Sequence, residues 1–273
     1  TKTLEQEFKA GVRWQKIPTR YLKLKPEEIK SSISELKKAL GEKVVILGHH
    51  YQREDVIEFS DLQGDSFLLS KLAAETKDAE VIIFCGVHFM AETAEILSSN
   101  KQKVILPNMA AGCSMADMAS TEEVQRCWKE LSDIFDSDSD KQPVIPVTYM
   151  NSTASIKSLC GQNNGIVCTS SNAKQAFDWA YDRGERILFV PDQHLGRNTA
   201  KDYGIKESEM VIWDPYKKNG GLSVDEIINS KIILWKGHCS VHTRFSVQQI
   251  ENAKIKNPDV NILVHPECTN EVV

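Results

Sequence analysis

The stretch Lys-Val-Val-Ile-Leu-Gly-His-His-Tyr at residues 43–51 contains the pattern that decides the fold. A short run of branched aliphatic residues, 44–47, ends abruptly in a glycine and three polar rings. Such runs, bounded by turn residues, predict strands that are buried inside a parallel sheet. Seven further runs of this kind recur along the chain, at 81–84, 104–106, 144–147, 166–168, 187–190, 232–235 and 262–264.

Amphipathic stretches separate these runs, which predicts strand–helix units around parallel sheets and places the chain in the α/β class. Before the first run, residues 26–40 predict a helix with Ile29, Ile33, Leu36 and Leu40 on one side. Gly41 stands where that helix should end. The alternation of Asp and Ser at 136–140 predicts a solvated loop, since it matches no calcium-binding spacing.

Polar side chains follow nearly every predicted strand. In open parallel sheets, ligands bind in the crevice beyond the carboxyl ends of the strands. We therefore expect several strand ends to contribute to one shared site. These polar segments are residues 48–51, 86–88, 112–113, 149–151, 169–171, 192–194, 237–239 and 265–267.

Composition and charge narrow the class of protein. The 273 residues are enough for two domains. A net charge of -5 without any basic run argues against a nucleic-acid partner. No apolar run approaches the roughly 20 residues that span a bilayer, and residues 1–30 are charged throughout, unlike a signal peptide. We therefore expect a cytoplasmic enzyme that acts on small molecules and has no membrane partner.

The seven cysteines are odd in number and lack paired spacing, which favours reduced thiols over a disulfide framework. Cys113 and Cys239 each follow a strand and a glycine and precede a predicted helix, whose dipole would stabilise a thiolate for metal ligation. A small buried residue is the commoner role of a cysteine, and we assign it to Cys85 and Cys127. Without a CxxC pair, the spacing alone leaves metal binding at Cys113 and Cys239 open.

Taken together, the motifs resemble those of quinolinate synthase, the NadA family of NAD biosynthesis. They run in the family's order from residue 43 to residue 268. The motifs are Gly-His-His-Tyr-Gln at 48–52, Asp-Leu-Gln-Gly-Asp-Ser at 61–66, Gly-Val-His-Phe-Met-Ala-Glu-Thr-Ala at 86–94, Gly-Cys-Ser-Met-Ala at 112–116, Tyr-Met-Asn-Ser at 149–152, Thr-Ser-Ser-Asn-Ala at 169–173, Pro-Asp-Gln-His-Leu-Gly at 191–196, Gly-His-Cys-Ser-Val-His at 237–242 and His-Pro-Glu-Cys at 265–268.

The resemblance implies three α/β domains related by a pseudo-threefold axis, each with a short parallel sheet flanked by helices. The implied domains are 1–112, which includes an N-terminal helix, 113–238, and an incomplete third domain at 239–273. The strand ends would converge on a 4Fe-4S cluster bound by one cysteine per domain. Cys113 and Cys239 match the first two ligands. The family's third ligand is expected beyond Val273, and Cys268 does not match it.

The implied reaction condenses iminoaspartate with dihydroxyacetone phosphate to give quinolinate, phosphate and two waters. Three protein thiolates would leave one iron open to act as a Lewis acid. L-aspartate oxidase is the implied supplier of iminoaspartate. Two alternatives stay open: a truncated or apo fragment that binds anionic metabolites without a cluster, and an unrelated hydro-lyase with a similar open iron.

Residue roles follow from the matching motifs of the first implied domain. His49 and Ser66 are expected to bind the anionic substrate, and Tyr51 is expected to do acid–base work. A purely structural role is less favoured, because the ring nitrogens of two adjacent histidines are harder to supply with hydrogen-bond partners in a core. His50 receives no role.

In the second half of the chain, Tyr149 and Asn151 are expected to orient the substrate carboxylates, and Ser170 to bind phosphate near a helix start. On composition alone, Ser170 would be an ordinary helix-capping residue. His265 and Glu267 are expected to transfer protons around the condensing carbons. The alternative interpretation is that both residues belong to a loop without a catalytic role after the last predicted strand.

Overall fold

The computed structural model describes residues 17–135 and 141–273. It divides the chain into two compact units, Thr1–Cys113 and Ser114–Val273. Each unit contains one parallel sheet flanked by helices, which confirms the predicted α/β class. The partition into three domains stays a prediction, and the acidic segment 136–140 lies outside the described residues.

The first unit is built on a four-stranded parallel sheet with strand order β2-β1-β3-β4. On β1, Leu47 pairs with Phe84 on one side and with Leu62 on the other. Leu47 and Phe84 are fully buried and, with Leu69, form the centre of the core. The strands are β1 (Val44–His49), β2 (Leu62–Gly64), β3 (Val81–Cys85) and β4 (Lys103–Ile105).

Within the described residues, five α-helices accompany this sheet. They are α1 (Thr19–Leu22), α2 (Pro26–Leu40), α3 (Glu54–Ile57), α4 (Ser66–Glu75) and α5 (His88–Leu97). Helix α2 confirms the helix predicted for these residues: it starts with a proline and ends at Gly41, whose φ of 56° favours glycine. None of its residues is buried, and Leu36 is 60% exposed, so its apolar side is not part of the core.

The second unit is built on a five-stranded, wholly parallel sheet with strand order β6-β5-β7-β9-β8. Its strands are β5 (Ile145–Tyr149), β6 (Ile166–Cys168), β7 (Ile187–Val190), β8 (Met210–Trp213) and β9 (Ile232–Trp235). Its α-helices are α6 (Thr121–Ile134), α7 (Ala154–Gln162), α8 (Ala173–Arg183), α9 (Gln193–Tyr203), α10 (Val224–Asn229) and α11 (Val247–Lys256). Trp213, Trp235 and Leu188 are buried in the core between this sheet and α6.

Seven of the eight predicted strands are present, and the prediction of a strand at 262–264 is wrong. That segment forms no ladder with the described residues, and Leu263 is 99% exposed. An extended segment needs a neighbouring strand to satisfy its backbone groups, and none lies beside it here. Strands β2 and β8 were not predicted; both lie at sheet edges, and β2 has only three residues.

Both sheets place their first strand between their second and third strands. This order creates a switch point, where the connections leave the first strand and its neighbour in opposite directions and open a crevice for ligands. The two switch points lie beyond the ends of β1 and β5. Among the described helices, none combines the length and the apolar character needed to cross a bilayer.

Candidate active site

The strand ends of the second sheet bring four chemically capable residues into one row. Tyr149 is the last residue of β5, Ser170 follows β6, Asp192 follows β7 and Cys239 follows β9. Since these four strands are neighbours in the order β6-β5-β7-β9 and all run parallel, their ends lie along the same edge. The row passes directly over the switch point of this sheet.

Glu267 is the centre of this site. It is only 3% exposed, and its carboxylate lies near the Tyr149 hydroxyl and the Cys239 thiol and acts to raise the pKa of both groups. The Nδ1 atom of His242 lies 2.7 Å from its Oε2, although it is not aligned for a regular hydrogen bond. We call Tyr149, Cys239, His242 and Glu267 the Glu267 cluster. A buried carboxylate with three polar contacts is well placed to exchange protons.

Tyr149 links the Glu267 cluster to Ser170. Burial, reinforced by the negative charge of Glu267, raises the pKa of Tyr149 well above its usual value. The nearby Ser170 hydroxyl acts in the opposite direction and lowers the pKa of Tyr149, although burial outweighs it. The polar chain therefore runs from Ser170 through a protonated Tyr149 to Glu267.

His265 stands beside the cluster with a defined tautomer. Its Nδ1 accepts a hydrogen bond from the backbone N–H of Glu267 at 3.2 Å, which leaves the ring proton on Nε2. Burial lowers the pKa of His265, so the ring is neutral near pH 7. The ring stacks on His242 with 4.5 Å between centroids.

Asp192 adds a second buried carboxyl group. It is fully buried, and its Oδ1 accepts hydrogen bonds from the N–H groups of His194 and Leu195 at the start of α9. Its Oδ2 completes no hydrogen bond, although the amide of Cys239 lies close enough to favour the charged form. Burial is the larger effect and raises the pKa of Asp192 to about 7.

In the first unit, His49, Tyr51 and Ser66 lie together at the end of β1. The Nδ1 of His49 accepts a hydrogen bond from the Tyr51 N–H at 3.2 Å, and its Nε2 lies 3.3 Å from the Ser66 hydroxyl oxygen. The Nε2–H therefore points at Ser66. Burial lowers the pKa of His49 to about 4, with a smaller effect from His50. The ring of Tyr51 is 77% exposed beside these histidines.

The structure thus brings eight of the ten predicted site residues together as two groups, one within each unit, and Cys113 is half-buried at the end of the first unit. The second unit gathers Tyr149, Ser170, Cys239, His265 and Glu267. Asn151 is half-buried two residues beyond Tyr149.

The sequence profile of the quinolinate synthetase A protein family matches residues 31–273.

The chain belongs to the quinolinate synthetase A family.

Curated relatives agree with this result. A quinolinate synthase of Corynebacterium glutamicum is 53% identical over 261 residues, which cover 96% of this chain and 65% of the relative. Quinolinate synthases of Bacillus cereus and Bacillus thuringiensis are each 52% identical over 258 residues, or 94% of this chain and 68% of the relative. The chain therefore spans about two thirds of the length of these relatives.

The environment of Cys239 fits a metal-containing group, as the family resemblance implies. One ligand atom each from Cys239, His242 and Glu267 lies within 4.8 Å of the others. The unpartnered Oδ2 of Asp192 and the misaligned Nδ1 of His242 add buried polar atoms without regular hydrogen bonds. Thiolate, imidazole and carboxylate are common ligands of transition metals.

One sequence argument about the cysteines is wrong. Neither Cys113 nor Cys239 starts an α-helix, because the next element after each is a single 3-10 turn, Ala116–Met118 or His242–Arg244. A helix dipole therefore does not activate these thiols. For Cys239, burial outweighs hydrogen bonds from the amides of His242 and Val241 and raises its pKa to about 11. Metal binding would have to displace the thiol proton.

The sequence assigned no role to three residues of this site, Asp192, His242 and Asn198 on α9. Asn198 is buried, and its Nδ2 donates to the carbonyl oxygens of Pro266 at 2.8 Å and Cys268 at 2.9 Å. Its Oδ1 accepts from Asn270 at 2.8 Å. Asn198 therefore fixes the loop that carries Glu267. The sequence feature that could have indicated Asn198 is helical spacing. Asn198 lies three residues after Leu195, which is buried, and therefore on the same face of the helix.

Proposed function

We propose that the protein is a quinolinate synthase, which condenses iminoaspartate with dihydroxyacetone phosphate to quinolinate and releases one phosphate and two waters. The observation that carries this proposal is the Glu267 cluster, a buried carboxylate in contact with a phenol, a thiol and an imidazole. The names of its relatives, quinolinate synthase, support the same conclusion.

The reaction forms one carbon–carbon and one carbon–nitrogen bond, breaks the bond to phosphate and expels two waters, so protons must move several times. Glu267 serves as the base that takes a proton from carbon and returns it to a departing hydroxyl group. Tyr149 passes a proton toward Glu267 and is replenished through Ser170. The Nε2–H of His265 is a further donor for a developing negative charge.

Substrate recognition is assigned to the polar residues around these groups. Tyr149 and Asn151 orient the carboxylates, and the Ser170 hydroxyl binds the phosphate. His49, which is neutral near pH 7, donates from Nε2 to Ser66, and this leaves the hydroxyl hydrogen of Ser66 free to bond an anionic substrate. The exposed Tyr51 is the acid–base residue of this group.

We further propose a 4Fe-4S cluster ligated by Cys113, Cys239 and a third cysteine outside residues 1–273. When bound, the cluster would supply an iron with an open coordination position that acts as a Lewis acid. Iminoaspartate would come from an L-aspartate oxidase, and the reaction would take place in the cytoplasm. No membrane or nucleic-acid partner is part of this proposal.

Two measurements on the full protein test this function. Anaerobic reconstitution with iron and sulfide should give a brown charge-transfer absorbance that Cys113→Ser and Cys239→Ser lose and Cys268→Ala retains. If the protein stays colourless, the result would instead support the alternative that the chain is a truncated or apo fragment, which binds anionic metabolites without a cluster.

Incubation with iminoaspartate and dihydroxyacetone phosphate should give quinolinate and phosphate in equal amounts. A coloured protein that forms no quinolinate would favour an unrelated hydro-lyase.

A further inference from the structure

Cys239, His242 and Glu267 offer three different ligand atoms within 4.8 Å of one another. We propose that these residues form a site for a single divalent cation of the zinc class when the protein lacks its cluster. The cation and the cluster would then compete for Cys239. The competition rests on the proposed function, whereas the cation site itself depends only on these three side chains.

The ligand set selects the class of cation. Zinc accepts thiolate sulfur, imidazole nitrogen and carboxylate oxygen, often as three protein ligands with water in the fourth position. Calcium and magnesium take oxygen ligands almost exclusively, so a site with sulfur and nitrogen disfavours them. A thiolate, an imidazole and a carboxylate therefore favour zinc or a chemically similar ion.

The spacing requires only small movements. With metal–ligand distances of about 2.0–2.3 Å, ligands at the corners of a tetrahedron lie about 3.3–3.7 Å apart. The Nδ1 of His242 and the Oε2 of Glu267 are now 2.7 Å apart, and the Cys239 sulfur is within 4.8 Å of both ligand atoms. Displacements of about 1 Å would bring all three to bonding distance.

The two carboxylates of this site lack a cationic side chain. Glu267 and Asp192 are 3% and 0% exposed, and in the described part of the chain neither forms an ion pair with lysine or arginine. The Oδ2 of Asp192 likewise completes no regular hydrogen bond. Burying negative charge without a partner is costly, and a bound cation would remove that cost.

The surrounding contacts hold the ligands in place. Asn198 fixes the loop of Glu267 through the carbonyls of Pro266 and Cys268. The backbone carbonyl of Cys239 accepts hydrogen bonds from both the N–H and the hydroxyl of Thr243, at 3.1 and 3.0 Å. Such outer contacts orient ligands and increase metal affinity.

Cobalt is a suitable probe, because a bound thiolate gives it a sulfur-to-metal absorbance. Cobalt would be titrated anaerobically into the full, cluster-free protein. We expect one bound cobalt ion with the absorbance of one thiolate ligand. This absorbance should be lost in Cys239→Ser and retained in Cys113→Ser. Glu267→Gln and His242→Gln should each weaken the affinity for cobalt at least tenfold. Binding through the cluster cysteines would instead be weakened equally by Cys113→Ser and unaffected by Glu267→Gln, and that result overturns the proposal.

Competition gives a second readout that needs no substrate. One equivalent of zinc added before reconstitution should lower the yield of cluster absorbance in the wild type and have little effect in Glu267→Gln and His242→Gln, which both keep Cys239. An equal zinc effect in all three proteins overturns the competition. The thermal unfolding midpoint of each variant shows whether that variant is folded. If one of the two is not, the zinc effect in the other variant decides the test. Failure to make quinolinate would leave these metal titrations unaffected.

Discussion

His49 and His265 use the same local arrangement at the ends of two different segments. In each case Nδ1 accepts the backbone N–H of the residue two positions later, Tyr51 or Glu267. Both rings are therefore neutral donors from Nε2, and burial lowers the pKa of both. The sequence predicted that these residues belong to the site. It could not predict their tautomers, because these depend on backbone geometry beyond the strand ends.

The buried His49 should make folding sensitive to acid. Its folded pKa of about 4 lies below the ordinary value of 6.5, so the unfolded chain takes up a proton first as the pH falls. The stability is complete above pH 6.5 and is lost progressively toward pH 4. At about pH 4.5 the loss should be about 2 kcal/mol relative to pH 7.

Urea unfolding of the wild type and of His49→Gln checks this expectation. Since glutamine carries no titratable group, the variant should lose about 2 kcal/mol less than the wild type between these two pH values. The same acid dependence in both proteins would show that His49 is not the group responsible.

At the scale of elements, close backbone contacts decide where the strand ends lie. A Cβ at Gly237 would lie 2.1 Å from the Pro191 carbonyl oxygen, which belongs to the turn between β7 and α9. Gly237 therefore lets the segment leading to Cys239 approach the segment that carries Asp192. The sequence predicted a turn at Gly237 but contained no sign of this particular neighbour.

Gly237→Ala should consequently destabilise the second unit by about 1–3 kcal/mol, because the contact is with a rigid backbone. Gly161→Ala is the matched control, since a Cβ at this helical position meets nothing within 4 Å. The control should be neutral or stabilising by up to about 1 kcal/mol. Denaturant unfolding of both variants gives the comparison, and equal stabilities would contradict the close contact.

Asn198 connects helix α9 to the loop of Glu267, and we expect it to act as a positioning residue. Asn198→Ala leaves the carbonyls of Pro266 and Cys268 without their donor, at a local cost of about 1–3 kcal/mol. Hydrogen exchange at residues 267–268 should become faster while exchange in β5 is unchanged, and the rate of quinolinate formation should fall tenfold or more. Asn229→Ala, whose side chain donates to the Asp225 carbonyl oxygen on the surface, should change neither quantity.

At the scale of the whole molecule, periodicity was enough to predict the α/β class and seven strands, because buried strands of parallel sheets are continuous apolar runs. It failed at 262–264, where an apolar run has no neighbouring strand among the described residues. It also missed β2 and β8, since pairing at a sheet edge depends on the tertiary neighbour. The residues around Glu267 were identified by motif, but their contacts arise from four strand ends and a distant loop.

The measurement that tests the central claim most directly is quinolinate formation by the cluster-loaded full protein and its Glu267→Gln variant. Glutamine keeps the size of the side chain but removes the group that moves protons, so the rate should fall about 10²-fold or more. Glu271→Gln, an exposed glutamate four residues away, is the control and should match the wild type. Wild-type rates in Glu267→Gln, or no quinolinate from the wild type, would contradict the assignment of catalysis to Glu267.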